Sequence, residues 1–189
     1  MHITTVRTPS LGNRAAGNIV SLDLSMAQVP DRRYAADAVR VDVGEDMVRL
    51  FFAQHRPLGE GLQSLLLVRV PFLGARQFLR AMAGIATQLK AYLEKFNIRP
   101  PTPLDIKEVP NQTVTLDANI VAAGFSAREA CLDFYHVSPY VILSLSKGGD
   151  VFAEPVVRVI LTTTVLASIY EVLAAKKDAL PADEMEAEL

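Results

Sequence analysis

An alternation of apolar and polar residues that passes twice through the chain in one order, three extended stretches and then a helix, limits its fold more than any other feature. From Ala38 onward, Val39, Val41 and Val43 lie on one side of an extended segment and Arg40 and Asp42 on the other. Gly44, Glu45 and Asp46 supply turn chemistry, and Val48, Leu50 and Phe52 then alternate with Arg49, which predicts a β-hairpin. After a polar loop around Pro57, Gly59 and Gly61, a third strand runs from Leu65 to Val70 and Pro71 closes it. A helix follows, because Ala75, Phe78, Leu79, Met82, Ile85, Ala86, Leu89 and Leu93 recur at three- and four-residue intervals, with Arg76, Arg80 and Lys90 on the remaining face.

The order recurs after Arg99-Pro100-Pro101-Thr102-Pro103, an extended, proline-stiffened linker. An offset of 82 carries Val39, Val41 and Val43 onto Val121, Ala123 and Phe125, and Val48, Leu50 and Phe52 onto Ala130, Leu132 and Phe134. An offset of 89 carries Val68-Arg69-Val70 onto Val157-Arg158-Val159, before a helix with Leu166, Ile169, Tyr170 and Leu173 on one face. The growth in offset places an insertion at 136–153, with a strand-like stretch from Tyr140 to Leu145 and a turn at Gly148-Gly149-Asp150. The expectation is an α+β fold of two β-β-β-α repeats, their antiparallel sheet continuous or face to face and backed by helices. The corresponding divisions are an N-terminal arm over 1–34, a first unit over 35–98, a linker over 99–112, a second unit over 113–178 and an acidic tail over 179–189. Within the arm, Asn18 to Leu24 alternates and is expected to add an edge strand.

Composition narrows the partners. The 19 basic and 21 acidic residues leave a net charge of −2, which offers no long-range attraction for a nucleic acid backbone. Cys131 is the lone cysteine and, beside three histidines, does not make a usual structural zinc set; no disulfide, metal or other cofactor is expected, and a reducing cytoplasmic setting is. Met1 to Arg14 lacks the apolar run of a secretory leader. The most apolar window, Val156 to Ala175, contains Arg158 and Glu171 and is read as strand plus helix rather than a membrane span. With 50% apolar residues, burial between subunits of a homo-oligomer is expected.

The second unit has more specific features. Ala118-Asn119-Ile120-Val121-Ala122-Ala123-Gly124-Phe125-Ser126, Glu129-Ala130-Cys131-Leu132-Asp133-Phe134, Val137 with Pro139, and the run from Ala153 to Thr162 resemble the small bacterial "domain of unknown function 3467" family. In that family an asparagine-led strand, a Leu-Asp-Phe strand and an Arg-Val-hydrophobic strand precede a helix. The resemblance covers about a third of the chain well. The first unit is similar only in outline: Phe51 stands in place of the acidic residue, and Pro71-Phe72 in place of a Ser/Thr-Pro helix entry. The family implies no catalytic residue or cofactor. A sheet backed by a long helix is also broadly similar to the subunit of SecB-type export chaperones, an analogy of fold alone.

Reactive chemistry has few footholds. Cys131, Asp133 and His136 lie close in sequence, but a working Cys–His pair also needs an orienting group and an oxyanion site. His136, Asp133 and His55 lack metal-ligand spacing, and Gly148-Gly149-Asp150 and Gly59-Glu60-Gly61 lack the spacing of phosphate loops. Arg32, Arg33, Arg40 and Arg49 are offset by neighbouring acids and read as solvated surface. Tyr135, Tyr140, Val141 and Phe152, around the insertion, are candidate interface residues that equally suit covering the end of their own sheet. The reading is thus a non-enzymatic, oligomeric protein-binding or scaffold protein, with a chaperone-like variant that holds extended apolar segments. The alternatives are an enzyme or small-ligand protein with a site near Asp133 and His136, or a structural subunit of a larger particle.

Overall fold

Period-two alternation produces the strands it predicts, and their pairing can be followed residue by residue. The computed structural model describes residues 3–7, 19–23, 27–56, 61–95, 97, 106, 113–126, 128–138 and 153–180. Strands β1 (Ile3–Arg7) and β2 (Ile19–Asp23) pair antiparallel in a separate ribbon, so the segment expected to extend a main sheet pairs with the arm instead. Then come β3 (Arg33–Ala35), β4 (Ala38–Val43), β5 (Met47–His55), β6 (Leu62–Pro71) and helix α1 (Phe72–Lys95). The second series is β7 (Val114–Asp117), β8 (Ile120–Phe125), β9 (Glu129–His136), β10 (Glu154–Thr162) and helix α2 (Thr163–Ala175), followed by a 3-10 turn over Lys177–Ala179. The proline linker at 99–103 and the insertion from 139 to 152 lie outside the described residues.

The architecture is α+β, with two four-stranded sheets in the orders β4-β5-β6-β7 and β3-β10-β9-β8. Each contains an antiparallel meander of three strands, as expected, but neither sheet is purely antiparallel. The fourth strand is parallel in both: β7 runs alongside β6, and β3 alongside β10. Since β3 leads into β4 and β7 into β8, each short strand belongs in sequence to one meander and in space to the other.

The crossings are built alike. Ala36-Asp37 joins β3 to β4, and Ala118-Asn119 joins β7 to β8. The Ala36 N–H donates to the Ile160 carbonyl at 2.8 Å, and the Ala118 N–H to the Arg69 carbonyl at 3.1 Å. Asp37 N–H donates to Ala53 and Asn119 N–H to Tyr135. The side chains then bracket the strand ends: the Asp37 carboxylate accepts from the His55 N–H at 3.1 Å, and the Asn119 amide both accepts from the Val137 N–H at 2.8 Å and donates to its carbonyl at 2.6 Å. Local side-chain bonding of this kind turns a chain sharply without leaving backbone groups unpaired.

Register extends the correspondence. Val39, Val41 and Val43 oppose Phe52, Leu50 and Val48, while 82 residues later Val121, Ala123 and Phe125 oppose Phe134, Leu132 and Ala130. On the third strand the sequence offset of 89 is corrected to 91: Val48, Leu50 and Phe52 face Val70, Val68 and Leu66, whereas Ala130, Leu132 and Phe134 face Leu161, Val159 and Val157. Arg158 is therefore the counterpart of Leu67, not Arg69. Because successive side chains alternate between faces, a two-residue slip keeps the inward positions apolar, and hydropathy of that face does not distinguish the two alignments. The helices start 91 apart as well, at Phe72 and Thr163, so Ala75, Phe78 and Met82 correspond to Leu166, Ile169 and Leu173, all buried.

The inward faces meet in a shared core, where the Phe52 and Phe134 rings pack edge to face with centroids 6.1 Å apart. Helix α1 follows the first meander yet packs against β8 of the other sheet, and α2 reciprocally against β4. The start of α1 passes so close to the second crossing that a Cβ on Gly74 would lie 2.5 Å from the Asn119 carbonyl oxygen and 3.0 Å from Val70 Cγ1. Backbone cannot retreat as a flexible side chain would, so Gly74→Ala is expected to destabilise by about 1–3 kcal/mol. A urea unfolding midpoint equal to that of the unsubstituted protein would refute this close approach.

Candidate functional site

The sheet faces turned away from the core carry the charged residues singled out in sequence. Asp133 on β9 is opposite Arg158 on β10, and the guanidinium donates from Nε and Nη2 to the two carboxylate oxygens, each at 2.6 Å. The pair is mostly buried, with 24% of the Arg158 and 12% of the Asp133 side chain exposed. Its hydrogen bonds raise the Arg158 pKa beyond the usual arginine value despite partial desolvation. Cys131 and Tyr135, on the same face, are held toward their neutral forms, first by burial and then by the Asp133 charge. Arg69 makes a comparable fork to Asp117 at 2.7 and 2.6 Å, but in a more exposed position where such pairs contribute about 1 kcal/mol at most.

This geometry separates the sequence-predicted trio. Cys131 and Asp133 share a face, but His136 lies at the end of β9 opposite Glu154, and alternation directs it to the other side. Asp133 is committed in both oxygens to Arg158, and the raised Cys131 pKa opposes thiolate formation. His55 sits apart, with Nδ1 3.1 Å from Asp37. Among the described residues no three His, Cys, Asp or Glu side chains gather in a group suited to a metal ion, and no helix is long and apolar enough to cross a membrane.

The candidate interface residues are also separated. Tyr135 is 4% exposed and packs with Ile120 and Val137 on the outer face of its own sheet, where Ala27 and Ala153 also lie. Tyr140, Val141 and Phe152 lie outside the described residues. The opposite sheet has a similar cluster: Ile106, 1% exposed, packs with Ala38, Phe51, Ala53 and Leu67. There Arg40 donates to the Ile106 carbonyl and holds its guanidinium 4.0 Å above the centre of the Phe51 ring. Ring and cation thus occupy the zone that Asp133 and Arg158 occupy on the other sheet.

Among the described residues a concave surface lies between the helices, at positions that the sequence offers only as core and as a basic helix face. Tyr170, half-buried on α2, borders two adjoining concavities of about 410 and 490 Å³. The first is lined by Leu79, Ala83, Ala174 and Leu180, with Arg76, Arg80, Lys177 and Asp178 around them. The second is lined by Ala86, Leu89, Leu93 and Ala167, with Thr87, Lys90 and Glu171. Within the helices the offset of 91 sets Leu79 against Tyr170 and Arg80 against Glu171, while Lys177 and Leu180 lie beyond the end of α2. Similar walls therefore carry different charge, a net positive first concavity and a balanced second one. The signal available in sequence was Leu79 and Tyr170 at matching places beside Arg76 and Arg80, but the helix pairing that brings them together is a tertiary fact.

Comparison with family models, with curated proteins and with solved structures finds no match to this chain. The electrostatics of Cys131 can be tested directly. Its alkylation rate should rise with pH around a midpoint above the ordinary thiol value of roughly 8.5. Asp133→Asn removes the negative charge that favours the thiol and leaves Arg158 to favour the thiolate, so the rate at pH 8 should increase. An unchanged rate would show that Asp133 does not control this sulfur.

Proposed function

We propose that this protein is a non-enzymatic protein-binding scaffold of two equivalent β-β-β-α units, whose helix interface receives a partner's apolar segment across Tyr170. One observation carries the reading: two concavities at corresponding positions, each with an aliphatic floor and a charged rim, meet at that ring. A segment lying across them would place one apolar anchor in each, and its acidic residues would favour the end with Arg76, Arg80 and Lys177. Tyrosine suits such a place because a large, stiff ring adds contact area at little cost in rotamer freedom.

Equivalence of the units is supported by the crossings, the strand registers and the helix starts, all at constant offsets of 82 or 91. The resemblance of the second unit to the domain of unknown function 3467 family stays part of this proposal, and Phe51, the counterpart of Asp133, is where the first unit departs from that pattern. A chaperone-like role is the same proposal with loose sequence preference, and the SecB-type analogy adds only the layout of strands and helix. We assign self-association to the exposed apolar side chains Ile160 on β10 and Val114 on β7, 40% and 37% accessible.

Peptide display on the intact protein should enrich segments with two apolar anchors and acidic flanks. Tyr170→Ala should weaken their binding by about tenfold, the effect of losing one well-buried aromatic contact. Equal affinity in wild type and variant would place the peptide elsewhere and end this reading of the trough. For self-association, native mass measurement should show a defined multimer that Ile160→Glu dissociates; a monomer at micromolar concentration would remove that part.

A further inference from the structure

Each of the two main sheets has two edges, and the four are guarded unequally. β4 lies against α2 and β8 against α1. β3 and β7 occupy corresponding places, 82 residues apart, but differ in charge. On β3, Arg33 is exposed, follows the exposed Arg32 and stands in register beside Arg158, so a strand arriving at that edge meets cations. Its counterpart on β7 is Thr115, next to Val114, which is 37% accessible; Asp117 at the end of the strand is already held by Arg69. The Ala118 N–H donates to the Arg69 carbonyl, so the parallel ladder turns the Leu116 N–H toward β6 as well, and the backbone groups of Thr115 and Asp117 point away from it. Among the described residues no strand pairs with that outer side of β7.

We propose that β7 is a self-association edge, which in a two-fold dimer pairs antiparallel with β7 of a second copy and joins their four-stranded sheets into one continuous sheet. This rests on the self-association assigned to Val114 above and gives it a geometry. With Thr115 opposite Thr115 across the axis, Val114 meets Leu116 and Asp117 meets Thr113 of the other copy. Opposed threonines and apolar pairs are favourable cross-strand combinations, and no charge faces its like. The same register on β3 would set Arg33 against Arg33. A second copy suits this edge better than an unrelated segment, because the strand is self-complementary about Thr115 and because a two-fold contact closes after two copies, leaving no β7 edge for further growth.

Hydrogen exchange of backbone amides, followed by NMR on the full chain, reads this edge locally. The Thr115 and Asp117 amides should exchange about tenfold more slowly in concentrated than in dilute protein, whereas the Leu116 amide, turned into the sheet, should be slow in both. Thr115→Pro removes only an outward N–H, at an edge position where proline is tolerated, so it should keep the fold and abolish the concentration dependence at Asp117. Thr115 and Asp117 amides that exchange fast at every concentration, or slowly at every concentration as a cover from the same chain would make them, would overturn the edge pairing. So would protection that appears only with an added extended peptide, or that survives at Asp117 in folded Thr115→Pro. A multimer that Ile160→Glu dissociates while these two amides stay fast would leave self-association standing without this edge; slowed edge amides in a multimer indifferent to Ile160→Glu would leave the edge standing without Ile160.

Discussion

Each sheet is completed by the strand that leads into the other, and the rest of the structure depends on that exchange. Three antiparallel strands with one apolar face are marginal by themselves. Here β7 adds a parallel edge to the first meander and β3 to the second, while α1 and α2 each cover an edge of the opposite sheet. Pulling the two halves apart would expose the inner faces and also break two parallel ladders. Cooperative unfolding of the whole is the natural consequence, because neither half retains a finished sheet.

The exchange rests on two dipeptides, Ala36-Asp37 and Ala118-Asn119. The small alanine lets the chain pass between the sheets, and the acceptor side chain captures the N–H that ends the neighbouring strand, His55 in one case and Val137 in the other. Asp and Asn differ in what else they hold. Asn119 has a donor as well and closes a two-bond ring with Val137, whereas Asp37 has only acceptors and lies against the His55 Nδ1. One geometry therefore survives with different chemistry.

The six long strands and both helices could be read in sequence because their periods are strong and uninterrupted. The parallel strands were missed for a physical reason: Arg33–Ala35 and Val114–Asp117 are three and four residues long, too short to display a period, and their pairing is set by a partner far along the chain. The third-strand alignment failed for the opposite reason, an excess of regularity. The inward positions are apolar at both offsets and the shared Val-Arg-Val favours 89, so only the strand register shows that Arg158, which reaches Asp133, answers to Leu67, while Arg69 reaches Asp117. Of the candidate site, the helix faces were legible, but their convergence at Tyr170 was not, since residues 91 apart meet through packing that no local pattern encodes.

The places where the two units differ separate positions that serve packing from those that serve the proposed binding surface. Core positions have changed within the apolar class, with Ala75, Phe78 and Met82 answering to Leu166, Ile169 and Leu173, so volume is redistributed while each position stays buried. On the trough the changes are of character: Arg80 answers to Glu171, and Leu79 to the amphipathic ring of Tyr170. A symmetric surface would accept a segment in either direction with equal free energy. Opposite charges at matching points remove that degeneracy, because an acidic flank gains at one end what it loses at the other. Stability alone asks for no such polarity, whereas the binding role proposed for this surface would use it to fix the direction of a partner.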